Sequence, residues 1–366
     1  MKRIIVFVLL IFLFCLPVSA QESIYSDMYD LSGLESAENC LPKEAKSILE
    51  RGGITPDNSD WYEKIEMQSV FKTVWEIAKG GFEKPLKNAA VTAALILISA
   101  LASCFSRDNE SGESFGYFFS VIICAVVLKN VFYLVTASVN AIKGGATFML
   151  GVVPVFTGVA AMSGRAVSTA AASGMILLAA QAVSSLCAFV IVPLMSAYLA
   201  IGVASSVSPL ADSGIAESLK KIATWIIGLV STLFIGLLSV QTAVNSAADS
   251  LRLKTAKFLV GSLVPAVGTA LGEAVTTLSG SVTLLKSTVG IYAVFGVGAV
   301  LLPIIAELAA WRITLWLLKI MSTSFSLKKV DAVFGSIDSV LSVLMGITAF
   351  IGAVFVISLG IVVGIK

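Results

Sequence analysis

The sequence has no histidine, and only 13% of its 366 residues are charged. Without histidine there is no Ser-His-Asp triad, no His-Glu-x-x-His zinc site and no imidazole ligand for a metal. No Cys-x-x-Cys pair occurs, and no Gly-x4-Gly-Lys phosphate loop. A glycine-rich dinucleotide turn following a strand is missing as well. The apolar part holds no paired-carboxylate cluster: Asp212, Asp249, Asp331 and Asp338 read as loop or span-edge residues. These absences point away from an enzyme and call for no cofactor or metal. The net charge of +2 gives no case for nucleic acid as a partner. The scarcity of charge has a further consequence. Soluble domains are about 25% charged, whereas this chain is 57% hydrophobic with a mean hydropathy of +0.95. Most of it is suited to lipid rather than water.

The charges are unevenly spread. Residues 21–88 carry 13 acidic and 8 basic side chains, a soluble protein's share, while residues 89–366 carry 25 charges in 278 positions. Ahead of both stands a leader: Lys2-Arg3, an apolar run from Ile4 to Leu16, and Pro17-Val18-Ser19-Ala20. A basic start, a short apolar run and small residues at the −3 and −1 positions are the marks of a signal peptide cleaved between Ala20 and Gln21. The run is short for a membrane span, which needs about 20 residues. Residues 21–87 then form an exported, acidic, helical segment. Pro42 to Arg51 reads as a short helix ended by Gly52-Gly53. A second helix, capped by Ser59 or Asp60, runs to about Lys79, where Gly80-Gly81 ends it. On that helix Met67, Phe71, Val74, Trp75 and Ala78 share one face. Two readings of this stripe are open: packing within the protein or on the membrane surface, and docking of a partner protein.

From residue 88 onward the pattern is a polytopic bundle. Spans are expected at about 88–106, 115–139, 183–207, 222–245, 288–311 and 340–364. Residues 147–182 break at Ser163-Gly164-Arg165, and residues 258–285 break at Gly272-Glu273. Each limb is short of the approximately 30 Å hydrocarbon core, which leaves re-entrant hairpins or short crowded spans as alternatives. Phe148-Met-Leu-Gly151 with Pro154 resembles Phe258-Leu-Val-Gly261 with Pro265, Pro193 answers to Pro303, and Lys220-Lys221 to Lys328-Lys329, all at nearly one offset. The fold class is therefore all-α: about six full spans and two broken-helix hairpins in a parallel repeat of ~110 residues. Repeat one covers about 115–216, repeat two 217–324, and a truncated third copy 325–366. Pro154, Pro193, Pro265 and Pro303 are the expected helix breaks. Both double-lysine loops fall on the inner side, as positive-inside bias prefers; Arg252, Lys254 and Lys257 run against it.

Ionisable residues inside a membrane are costly and mark function. Arg165 and Glu273 stand at the two hairpin tips, where they either pair with each other or reach headgroups and water. Glu307 follows Pro303, where a backbone carbonyl is freed, and is the leading pathway residue. Lys129 and Arg312 are expected to snorkel.

The stretches Phe148-Met-Leu-Gly-Val-Val-Pro154-Val-Phe-Thr and Phe258-Leu-Val-Gly-Ser-Leu-Val-Pro265, with the leader and the acidic exported segment before them, resemble the stage III sporulation protein AE family of endospore-forming bacteria. The resemblance implies a multi-pass protein of the mother-cell membrane around the forespore, with residues 21–87 extracytoplasmic. It implies partners too: other stage III sporulation membrane proteins, including ring-forming subunits, and indirectly a cytoplasmic ATPase, in a secretion-like complex that links the two cells. Two functions stay open, a membrane core subunit of that channel and a self-sufficient secondary transporter for a small solute.

Overall fold

The computed structural model of the chain describes residues 33–55, 66–105, 109–162, 181–207, 214–234 and 268–364, with 174, 177–178 and 236–237 besides. The signal peptide, Arg165, Pro265 and most of the anchors around 258–265 lie outside them. Within the described residues all regular structure is helical: α1 (Leu34–Glu38), α2 (Lys43–Arg51), α3 (Met67–Phe105), α4 (Asn109–Met162), α5 (Val192–Val207), α6 (214–234), α7 (Gly268–Ser324) and α8 (Lys328–Gly364). Among the described residues, five stretches are long and apolar enough to cross a membrane: Gln68–Ala102, Tyr117–Phe156, Gln181–Ala204, Thr288–Ser324 and Lys328–Gly360. The protein is an all-α membrane bundle.

α2 forms where the sequence puts it; α1 is not among the expected elements, and the helix expected from Ser59 or Asp60 begins at Met67, those two residues lying outside the described ones. Pro42 stands at the N-cap of α2, and the helix ends in a Schellman closure. Gly53, with φ of +72°, donates its N–H to the Glu50 carbonyl, and Ile54 donates to that of Leu49. Leu49 and Ile54, whose contact completes such a motif, are both buried. α1 packs on α4, and α2 on α7 and α3. Leu34, Ala37, Leu41, Ala45 and Leu49 are buried, so residues 34–49 of the acidic segment are seated on the bundle.

The long helices depart from the expected segmentation. α3 runs unbroken through Gly80-Gly81, across the expected boundary at residue 88, and through Pro85. α4 joins the expected span at 115–139 to the first hairpin limb, passing Gly144-Gly145 and Pro154. α7 passes Gly272-Glu273 without a break and carries Pro303 inside it. Two glycines in a helix cost about 1 kcal/mol each, and proline removes one hydrogen bond. Packing offsets these costs. A Cβ on Gly81 would lie 3.1 Å from the Ala306 carbonyl carbon and 3.2 Å from the Glu307 nitrogen, so here two backbones touch. At Pro193 the helix adjusts rather than ends: residues Cys187–Ile191 form a π turn just before it, a local widening that accommodates the missing donor.

α7 is the centre of the bundle. It packs against α8, α3, α4 and α2, and its apolar window is 72% buried, the largest share among the five spans. α7 and α8 form an antiparallel hairpin through a second Schellman closure, in which Leu327 donates to the Ser322 carbonyl and Ser326 donates to that of Thr323. Ser326 takes φ of 59° there, a left-handed conformation that costs a non-glycine residue about 1–2 kcal/mol.

Candidate functional site: paired charges along the central helix

Three charged residues of α7 sit within its apolar stretch, and each is paired with a neighbouring helix. Glu307 faces Lys84 of α3, with the Lys84 Nζ 3.5 Å from Glu307 Oε1. That is longer than the roughly 2.7–2.9 Å of a charge-assisted hydrogen bond. The closer partner of Lys84 is Tyr133 of α4: Nζ donates to the phenol oxygen at 3.2 Å and lies 4.5 Å from the ring centroid. The Glu307 side chain is only 15% exposed, whereas that of Lys84 is 62% exposed. One layer thus joins α3, α4 and α7 where Gly81 lets α3 approach.

The second and third pairs tie α7 to α8. Arg312 Nε donates to Asp338 Oδ1 at 2.8 Å. Lys319 Nζ lies 4.0 Å from Asp331 Oδ1, which also accepts from the Thr323 hydroxyl at 3.2 Å. Arg312 therefore does not snorkel free; it is held. Asp331 and Asp338 are helical, not loop residues, because α8 begins at Lys328. A sequence signal for these pairs exists. Arg312 and Asp338 are equidistant from residue 325, and so are Lys319 and Asp331, the register an antiparallel hairpin turning there would give. Exchanging the charges, Arg312→Asp with Asp338→Arg, should restore most of the stability lost in either single reversal. Thermal midpoints in detergent check this; a double variant no better than the worse single one would refute the pairing.

The other expected site residues fall as follows. Glu273 has a helical backbone. Its proposed partner Arg165 lies outside the described residues, as do Ala20 and Gln21. Met67 begins α3. Phe71 and Trp75 are 72% and 56% exposed, and Val74 is exposed beside them. α3 packs inward instead through small and polar residues: Thr73, Pro85, Thr92, Ile96 and Ser99 are all buried. Thr73 and Thr92 satisfy their hydroxyls on the carbonyls of Ser69 and Asn88. The apolar stripe thus faces outward. Among the described residues no group of three or more acidic or cysteine side chains could hold a metal ion.

The family model described as stage III sporulation protein AE matches residues 59–366. The chain is similar to the stage III sporulation protein AE of Bacillus subtilis (strain 168), with 28% identity over 262 residues. That alignment covers 69% of this chain and 62% of the relative's length. No solved structure matches. With more than half of its length matched by the family model, the chain belongs to the stage III sporulation protein AE family.

Proposed function

We propose that the protein is a membrane core subunit of a sporulation channel between mother cell and forespore, working through partner proteins rather than alone. The observation that carries this reading is the outward face of α3. Phe71, Val74 and Trp75 are exposed on a helix whose opposite face is already packed. The same exposed face region carries Lys72, Glu76 and Lys79. Mixed charge beside exposed aromatics suits a protein surface better than acyl chains. Ring-forming subunits of the same assembly are the proposed partners on the extracytoplasmic side, and a cytoplasmic ATPase acts indirectly. The protein itself performs no catalytic step in this scheme, and residues 21–87 lie outside the cytoplasm in the mother-cell membrane. The alternative, a self-sufficient permease, asks for discontinuous helices around a midplane site. The continuity of α7 through Gly272-Glu273 and Pro303, and the internal pairing of Glu307, favour the first reading.

Co-purification of the other stage III membrane proteins from sporulating cells tests the proposal. Phe71→Ser with Trp75→Ser should reduce recovery of the partners by about tenfold or more, as loss of aromatic anchors does at interfaces, while the bundle keeps its thermal midpoint. Uptake of a solute by the purified protein alone in liposomes would overturn it.

A further inference from the structure

α6 carries a second unusual surface. Its inner face is apolar, with Ala216, Ala223 and Phe234 buried. Its outer face is also apolar: Ile222, Trp225, Leu229 and Leu233 are exposed in one line, Trp225 by 67%. A helix apolar on both faces lies between protein and lipid. At the N-terminal end of that line opens a groove lined by Glu217, Lys220, Lys221, Thr224 and Trp225. Its two cations are not equivalent. Lys221 is balanced by Glu217 at 3.1 Å. Lys220 reaches across to α8 and donates to the neutral Ser339 hydroxyl at 3.2 Å. The neighbouring carboxylate, Asp338, is already taken by Arg312. The groove therefore holds two ammonium groups against one carboxylate, with a tryptophan one turn deeper and an exposed apolar track leading on from it.

We propose that this groove binds the phosphate of an anionic phospholipid. Lys220 and Lys221 hold the headgroup, and an acyl chain lies along Trp225, Leu229 and Leu233. The chemistry fits at each level. Lysines at a membrane surface attract anionic headgroups, and tryptophan settles at the boundary between headgroup and chain. The lining of the groove belongs to α6, and Lys220 links it to α8 through the Ser339 hydroxyl.

The test uses the full-length protein in neutral detergent with fluorescent phosphatidylglycerol and fluorescent phosphatidylcholine of identical chains, read by anisotropy. Phosphatidylglycerol should bind more tightly than phosphatidylcholine. Lys220→Gln with Lys221→Gln should weaken it by roughly 25-fold, at about 5-fold for each surface charge. Lys220→Arg with Lys221→Arg should retain binding, and Lys328→Gln with Lys329→Gln should leave it unchanged. All variants are compared at equal helical content and gel-filtration position. Equal affinity for the two lipids overturns the proposal, as does an equal loss in the Lys328/Lys329 variant. Complete release of the labelled lipid by excess inorganic phosphate assigns the groove to free anions and overturns the lipid.

Discussion

Gly296→Ala should destabilise the bundle by about 1–3 kcal/mol, the usual cost of forcing extra volume into a packed core. A Cβ at Gly296 would lie 2.4 Å from the Phe148 Cζ and 2.5 Å from its Cε1. Phe148 is fully buried, and it packs edge to face on Tyr292 at 6.4 Å, itself 1% exposed. This contact joins α4 to α7, so relief by moving the helices apart would spread through the bundle's central packing. Loss of monodisperse protein on heating in detergent measures the effect. The cause is tested by adding Phe148→Leu: the double variant should be more stable than the sum of the two single costs predicts. A Gly296→Ala protein with the wild-type midpoint would sink the argument.

The second large effect is an asymmetry within one ion pair. Lys84→Met leaves the Glu307 carboxylate mostly buried with no cation beside it, which costs about 1–3 kcal/mol or more for a charged group. Glu307→Gln leaves Lys84 exposed and still bonded to Tyr133, so its cost should stay below about 1 kcal/mol. Combining the two changes should recover most of what Lys84→Met loses, because the stranded charge is gone. Thermal midpoints of the three variants decide the matter. Equal costs for the two single changes would show that the pair is not organised by the burial of Glu307.

α2 and the general class were legible in the sequence; α1 and the joints between long helices were not. α2 and its Gly52-Gly53 stop are local events, set by a proline before and a left-handed glycine after, and local rules find them. Gly80-Gly81 looks the same on paper. In the fold Gly81 is the point where α3 meets the α7 backbone, and the contact outweighs a local cost of about 1 kcal/mol per glycine. Gly145 repeats the lesson: a Cβ there would lie 2.9 Å from the Phe355 ring on α8. Glycine as breaker and glycine as contact share a sequence, and only tertiary packing separates them. The site divides similarly. Glu307 stands out as an acid in an apolar run, but its partner Lys84 lies in the segment expected to be exported, in a helix expected to have ended. The Arg312–Asp338 and Lys319–Asp331 pairs leave a trace, their symmetry about residue 325. It becomes readable once α8 is known to start at Lys328 rather than near 340.

α7 is 57 residues long, about 86 Å at 1.5 Å per residue, against a hydrocarbon core of about 30 Å. The contact of Gly81 with Ala306 divides this rod into arms of about 57 Å and 27 Å. The rod is nearly three times as long as that core is thick, and the Arg312–Asp338 and Lys319–Asp331 pairs to α8 lie on its shorter arm. A helix of that length reaches beyond the hydrocarbon or lies strongly tilted within it.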